Sequence, residues 1–473
     1  MRRIGRYAIL GLLGRGGMGA VYKASMPRTG RVAALKLLRP SDELAAVADG
    51  ERLKRDFFRE AALMAGIRHP GVAQVLDVDE DEQGRPFFVM EYYCNNLGAE
   101  LGESYRVEEP TRRLGVERSL SLARQLAAAL ARLHHAGVLH RDVKPYNLML
   151  AETPPDWSPG WSPGRPGDWP AGSGCGGDEL KLIDFGLSRL RGEVEAGRPR
   201  GAVVGSPYYA APEQEADPAK ADERADVFSA GVTLFRCLTG RLPQEGTPAS
   251  ALREGLDARF DDFFARCCNG DAALRFPDAR ALLAELDGLH AHWARLRAAA
   301  CALPPEPAPP ASPCAASPRG VPMRQPLAGA RERFGLDELW RPAPRDPERF
   351  VDLGDGTVRD AATGLVWERG GSAYAVTRAG AQAHADGLNA EAFAGRKGWR
   401  LPTVEELCTL LLPEPDLRQL CLAGPFDAAR RRLWSADAKS FVASWYADAE
   451  HGFIWWQDDT CEFHVRCVVS PAG

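Results

Sequence analysis

The run His140-Arg141-Asp142-Val143-Lys144-Pro145-Tyr146-Asn147 is followed, 37 positions after Asn147, by Asp184-Phe185-Gly186. A carboxylate at Asp142 and an ammonium at Lys144 suit a nucleophilic hydroxyl and a migrating phosphoryl group. The Asn147 amide and the Asp184 carboxylate, the latter before a glycine hinge, offer hard oxygen ligands to Mg²⁺ ions. Upstream, Gly14-Arg15-Gly16-Gly17-Met18-Gly19-Ala20-Val21 spaces its glycines so that a hairpin can lie over phosphates and aim backbone N–H groups at them. A dinucleotide fold uses similar glycines, but Val21-Tyr22-Lys23 continues as a strand instead of opening a helix, which disfavours that reading. Lys36, in Ala34-Leu35-Lys36, would by default be an edge residue of an apolar strand. Placed after such a hairpin it can neutralise α/β-phosphate charge, with Glu60 of the helical run Phe57–Leu63 holding it. A surface carboxylate is the plainer role for Glu60. Only eight of the 59 basic residues are lysine, and two of them are Lys36 and Lys144.

Elements must bring these groups together. Strand-like runs at Tyr7–Leu13, Val32–Leu38, Val72–Val78 and Pro86–Glu91 precede helical patterns at Arg52–Ala65 and Ser119–His135. Early strands and later helices, without strict alternation, imply a small β-rich lobe joined to a helical one, an α+β class. From Thr153 to Gly177, 13 of 25 residues are Pro or Gly and WSPG is immediately repeated, which reads as a surface insertion. A ligand flap using Trp157, Trp161 and Trp169 is the alternative. Eight prolines between Pro304 and Pro322 mark a semi-extended linker. The expected division is residues 6–295, a linker at 296–344, and a second domain at 345–473.

Composition narrows the class. The formal net charge of −5 argues against nonspecific nucleic-acid binding, and 26% charged with 45% hydrophobic residues excludes wholesale disorder. No run approaches the ~20 apolar residues of a membrane span. The N-terminal MRRIGRYAILGLLG lacks a small-residue cleavage site, so a cytoplasmic protein without a signal peptide is expected. Eleven scattered cysteines without a CxxC motif indicate neither a zinc site nor a redox pair, and most are read as free thiols.

The order of these motifs, closed by Gly205-Ser206-Pro207 and Ala211-Pro212-Glu213, resembles that of the eukaryotic-type (Hanks-type) protein kinases, in their bacterial serine/threonine branch. The resemblance covers residues 6 to about 290. It implies a bilobal fold with ATP between the lobes and protein substrates bearing Ser or Thr. Leu13, Val21, Ala34 and Met149 would sandwich adenine, with Met90 as gatekeeper before the hinge Glu91-Tyr92-Tyr93. Gly14, Gly16 and Gly19 would cover the phosphates, Lys36 and Glu60 would form the ion pair, and Asn147 and Asp184 would hold Mg²⁺. Asp142 would orient the substrate hydroxyl and Lys144 would stabilise the transferred group. Met64, Val75, His140 and Phe185 would stack as a spine. Asp226 would anchor the catalytic loop, Glu213 would pair with Arg275, and Ser206 would hydrogen-bond Asp142 and Lys144. The Lys144-Pro145 pair is serine/threonine-like. Two rivals remain: a pseudokinase, and a binding module on a nucleotide-regulated kinase-like scaffold. Each charged position expected to react is intact, which favours catalysis. Leu187–Ala211 contains no threonine, so activation is expected without a loop phosphothreonine. Two readings stand for Glu193 and Glu195: one of them pairs with Arg141 instead, or they form a solvated acidic pair.

The tail runs from Phe350-Val351-Asp352-Leu353-Gly354-Asp355-Gly356-Thr357 through Thr363-Gly364-Leu365-Val366-Trp367, Trp399-Arg400-Leu401-Pro402-Thr403 (opening a helix), Leu433-Trp434-Ser435 and Arg466-Cys467-Val468. Together these resemble the Lcl C-terminal domain family, which is linked to C-type-lectin-like folds. A fold family certifies no ligand. Asp352 and Asp355 suit a Gly-Asp-Gly hairpin turn better than calcium. Trp367, Trp399 and Trp434 read as core. Ser444–Val465 holds Trp445, Tyr446, Phe453, Trp455, Trp456 and Phe463 with five acids and no Lys or Arg. Two readings stand for it: a recognition surface for a peptide, sugar, protein or cationic group, or a buried β-hairpin. Its composition is also similar to the variable proteins of diversity-generating retroelements.

Overall fold

The computed structural model describes residues 2–15, 19–40, 49–104, 106–152, 178–184, 189–190, 208–217, 221–300, 318–343, 349–412, 421–426 and 430–470. Expectations about Gly16, Phe185, Gly186, Ser188, Glu193, Glu195, Ser206, the insertion 153–177 and most of the Pro-rich stretch fall outside them. Two compact units are present, one made by residues 1–152 and 178–302 and one containing 303–473.

The first unit begins with β1 (Arg3–Ile4), β2 (Tyr7–Arg15), β3 (Gly19–Ser25) and β4 (Val32–Leu38). Helix α1 (Gly50–Gly66), β5 (Val75–Glu80) and β6 (Pro86–Glu91) follow. The strands form one antiparallel sheet in the order β1-β2-β3-β4-β6-β5. The run expected from Val72 instead starts at Val75, and Val72 makes a lone bridge to Leu182. Strand alternation gives the sheet two apolar faces. Phe87 and Val89 join Tyr7, Tyr22 and Leu35 on one, while Phe88 and Met90 join Ala34, Phe57 and Met64 on the other. Helix α1 is capped by the Asp49 carboxylate, which accepts from the Glu51 amide at 3.1 Å. It buries Phe57, Glu60, Ala61 and Met64, one stripe at helical spacing, so Glu60 is carried inward by its apolar neighbours.

The rest of the unit is mainly helical. β7 (Asn95–Asn96), α2 (Leu97–Leu101), α3 (Val116–His135), β8 (Val138–Leu139), β9 (Leu148–Glu152), β10 (Asp178–Leu182) and β11 (Arg189–Leu190) come first. Then follow α4 (Pro212–Ala216), α5 (Glu223–Thr239), α6 (Ala249–Leu252), α7 (Ala258–Cys267) and α8 (Ala279–Ala300). Helix α5 is buried almost all round, from Ala225 to its left-handed Gly240 cap. A Cβ at Gly231 would lie 2.5 Å from the Cys267 sulfur, so only glycine lets α7 approach this closely. The β9–β10 hairpin pairs Leu148–Glu152 with Asp178–Leu182, rung for rung.

The second unit contains α9 (Ala330–Phe334), β12 (Phe350–Asp352), β13 (Thr357–Asp360), β14 (Val366–Glu368), α10 (Arg378–Ala390) and α11 (Val404–Leu407). β15 (Arg432–Ala438), β16 (Ala443–Asp448), β17 (Phe453–Asp458) and β18 (Val468–Val469) complete it. Its sheets run β12-β13-β14-β18 and β15-β16-β17. Trp367, Trp399 and Trp434 are buried, as expected. The helix expected to open at Trp399 begins only at Val404, where Thr403 and Glu406 form a reciprocal capping box. Asp352 and Asp355 make turn contacts, accepting from the amides of Gly354 and Thr357 at 2.9 and 3.0 Å.

The aromatic segment corrects one of the two readings above. Trp445, Tyr446, Phe453 and Phe463 are interior, with the Phe463 ring tilted against Tyr446 and Trp434 at centroid distances of 4.6 and 4.8 Å. The six rings therefore do not form one recognition surface, because β16 pairs on both edges and its side chains pack inward. Only Trp455 and Trp456 are half-buried, and the Lys439 ammonium stands 2.8 Å from the Trp456 ring centroid.

Candidate active site

Five backbone segments of the first unit converge. Strand β4 presents Lys36 between its ladder partners Val21 and Phe88. Lys36 Nζ donates to Glu60 Oε1 at 2.8 Å and to Asp184 Oδ1 at 3.0 Å, so helix α1, β4 and the end of β10 meet at one ammonium. Burial alone would lower the Lys36 pKa, but the charges of Asp184 and Glu60 overturn this and raise it. Burial pushes the Glu60 carboxyl up, opposed by Lys36. The three groups thus form one ion-pair cluster, with the Lys36 and Glu60 side chains largely withdrawn from water.

The catalytic-loop candidates are equally tied. Asp142 Oδ2 accepts from Lys144 Nζ at 2.8 Å and from Asn147 Nδ2 at 3.0 Å, and Asn147 Nδ2 also donates to the Asp142 carbonyl at 2.8 Å. That leaves Asn147 Oδ1 as the amide's acceptor, and the Ile183 amide donates to the Asn147 carbonyl at 3.0 Å, fastening Asp184's approach to this loop. Carboxylate and amide oxygens are the donor set a hard divalent cation takes, so Asp184 and Asn147 fit one. At the hairpin expected to cover phosphates, Gly14 pairs with Val21. A Cβ on Gly19 would meet the Leu37 carbonyl at 2.3 Å, so the start of β3 must be glycine to lie on β4.

Asp226 supports the loop from the buried α5. Its carboxylate accepts from the His140 and Arg141 amides at 2.9 and 2.8 Å and contacts His134 Nε2 at 2.9 Å. Burial would raise the Asp226 carboxyl, but the His134 hydrogen bond and charge, with the His140 charge and the Arg141 amide, hold it below the ordinary value. These bonds secure a left-handed Arg141 (φ 67°), a conformation costly for a non-glycine residue; Asp184 is also left-handed (φ 62°). His140 is fully buried, and its Nε2 lies 3.1 Å from the Ile183 carbonyl.

Most residues expected from the sequence therefore occupy one neighbourhood. Ala34 and Met90 are ladder partners and both buried, Met149 pairs with Asn96 and Lys181, and Leu13 is exposed. Met64 and Val75 share the main core. Glu91 accepts from Tyr93 Oη at 2.6 Å and pairs with Arg31 at 3.3 Å, while Tyr92 receives the Lys23 ammonium 5.0 Å from its ring centroid. Arg275 donates to Glu213 at 2.7 and 2.8 Å, as expected. Two supporting residues escaped the sequence reading. His134 lies on the buried face of α3, where its spacing from Leu126 and Leu130 was the available signal. Gln214 donates to the Arg141 carbonyl at 2.8 Å and had no local signal at all.

Comparison with known proteins adds kinship. The protein kinase domain family matches residues 7–273, and the Lcl C-terminal domain family matches residues 356–469. The serine/threonine-protein kinase pkn2 of Myxococcus xanthus is 36% identical over 245 residues, 51% of this chain and 25% of that protein. The probable serine/threonine-protein kinase SCO3848 of Streptomyces coelicolor is 34% identical over 250 residues, 52% of this chain and 32% of that protein. The chain thus spans a quarter to a third of the length of these curated relatives. The solved PknI kinase domain of Mycobacterium tuberculosis is 26% identical, with a TM-score of 0.42, covering 61% of this chain and 97% of its own.

Proposed function

This chain belongs to the protein kinase family, its kinase domain being of the serine/threonine type, and on that premise we propose that the whole protein transfers the γ-phosphoryl group of ATP to serine or threonine hydroxyls of protein substrates. The observation that carries this reading is the joint assembly of Lys36 with Glu60 and Asp184, and of Asp142 with Lys144 and Asn147. Phosphoryl transfer needs positioned charge more than covalent help, and these six side chains supply it.

In this mechanism Lys36, held by Glu60, binds the α/β-phosphates under the Gly14–Gly19 hairpin. Leu13, Val21, Ala34 and Met149 enclose the adenine, and the Glu91-Tyr92 backbone meets its edge beyond Met90. Asn147 and Asp184 hold divalent cations, taken here as Mg²⁺, which supply charge neutralisation at the transferring phosphate. Asp142 aligns the substrate hydroxyl and accepts its proton as the oxygen bonds to phosphorus and the bond to the ADP oxygen breaks. Lys144 stabilises the transferred group. The Lys36–Glu60 pair is already formed, which supports activation without a phosphothreonine in the loop; phosphopeptide mapping that found an essential loop phosphate would count against it. The 345–473 region is read as a sensing or partner-binding domain of C-type-lectin-like fold, presenting Trp455 and Trp456. No described helix is long and apolar enough to cross a membrane, and a cytoplasmic site of action fits the substrate class.

Radiolabelled γ-phosphate transfer by the full chain tests the assignment. Asp142→Asn should cut transfer by ~10³-fold or more while nucleotide binding persists. Undiminished transfer by that variant would refute it.

A further inference from the structure

The second unit gathers three metal-ligating side chains that lie far apart in the chain. Glu368 ends β14, Cys467 immediately precedes β18, and His384 lies on α10. The β14–β18 ladder runs Val366↔Val469 and Trp367↔Val468, and its next rung joins Glu368 to Cys467. There the Glu368 amide donates to the Cys467 carbonyl at 2.9 Å, and the Cys467 amide donates to Glu368 Oε2 at 3.2 Å. The two side chains are thus cross-strand neighbours. Helix α10 buries Ala381, Ala385 and Leu388, and this seating brings His384 Nε2 to 3.0 and 3.1 Å from the two Glu368 oxygens. One nitrogen, one carboxylate oxygen and the Cys467 sulfur all lie within 4.8 Å of one another.

We propose that Glu368, His384 and Cys467 form a zinc site, with water as the fourth ligand. Bonds of ~2.0–2.3 Å in a tetrahedron place donor atoms ~3.4 Å apart, so the His–Glu pair is already near ligand separation and the thiol needs a shift of at most ~1.4 Å. The donor set, soft sulfur with imidazole and one carboxylate, selects Zn²⁺ over Mg²⁺ or Ca²⁺. Cys467 is wholly buried and free, and its sulfur has no hydrogen-bond partner among the described residues. Glu368 is buried beside it, so the site holds a carboxylate where a dication would bind. His384 keeps 25% of its side chain exposed, which gives the ion and its water a way in. Bound there, the ion would clamp the β14–β18 pair to α10.

Cobalt titration of the chelator-treated full chain reads this out, because thiolate-to-Co²⁺ charge transfer absorbs in the near ultraviolet and oxygen-only sites give none. The proposal expects one equivalent of thiolate-bound Co²⁺, displaced by Zn²⁺. Cys467→Ser should abolish the band. His384→Gln, at a partly exposed position whose folding circular dichroism can verify, should weaken binding beyond the ~10–100-fold typical of a lost outer partner. Asp184→Asn, in the other unit's cation site, should leave the band intact. No band at millimolar Co²⁺, or a band unchanged in His384→Gln, would overturn the site, whether or not Cys467→Ser folds.

Discussion

The Lys36–Glu60–Asp184 cluster of the first unit and the Asp437 cluster of the second both take charge out of water, but they leave different amounts of it within reach. Asp184 keeps 46% of its side chain exposed and Lys144 keeps 25%. Asp437 is wholly buried. It accepts from the Arg319 guanidinium at 3.1 and 2.8 Å, from the Met323 amide at 2.7 Å and from the Val404 amide at 2.8 Å. Asp360 with Arg349 (3.2 Å) and Asp448 with Arg432 (3.3 Å) are likewise buried ion pairs. A buried ion with every acceptor site used up specifies a fold; one held by partners on one side and open on the other can act on a ligand. Burial alone does not mark function, whereas burial with access does.

Four substitutions break or sharpen this contrast. The largest effect is expected at Asp437→Ala, which strands Arg319 and two amides and should cost ~3–5 kcal/mol. Urea unfolding followed by tryptophan fluorescence reads it, because seven of the eleven tryptophans, from Trp340 to Trp456, lie in the second unit. A loss below ~1 kcal/mol would erase the distinction. Lys36→Met should instead lower kcat/KM by ~10²–10³-fold while moving stability by no more than ~1 kcal/mol, as measured by transfer assay and denaturation together. Asp226→Asn lies between the two classes, with ~1–3 kcal/mol expected. The native Asp226 pKa is held below its unfolded value, so its contribution is fully present above about pH 4 and is lost as pH falls through the native value. The variant should lack that acid-side slope, which chemical unfolding at stepped pH would show. The smallest effect belongs to Arg31→Ala, at the exposed Glu91 pair, where at most ~0.5 kcal/mol is expected in the same assay.

The first unit was readable because its chemistry is written in runs. His140 to Asn147 spans eight residues, and the glycine hairpin and Asp184-Phe185-Gly186 are equally local, so type and spacing pointed to the candidate site. The α1 stripe that carries Glu60 inward was readable from helical period. His134 showed only its place on the apolar stripe of α3, and Gln214 showed nothing, because their roles arise only when α3 and α4 pack beside the loop. In the second unit, tertiary contact dominates. Asp437 is a bulge residue on β15 whose donors come from residues 319, 323 and 404. The acidic aromatic stretch left two readings open because period-two alternation does not reveal that both faces of β16 are covered. The cysteine spacing carried no metal signal, since Cys467 meets its neighbours across the ladder and not along the chain.

The β9–β10 hairpin has one further consequence. Its last rung is Glu152↔Asp178, so the polypeptide departs and returns at points ~5 Å apart. Closing a longer excursion at a fixed gap grows only logarithmically in cost, ~0.6 kcal/mol per doubling. This position is therefore a natural splice point: a reporter protein whose termini are adjacent could be grafted there while Met149 keeps its place in the ladder below.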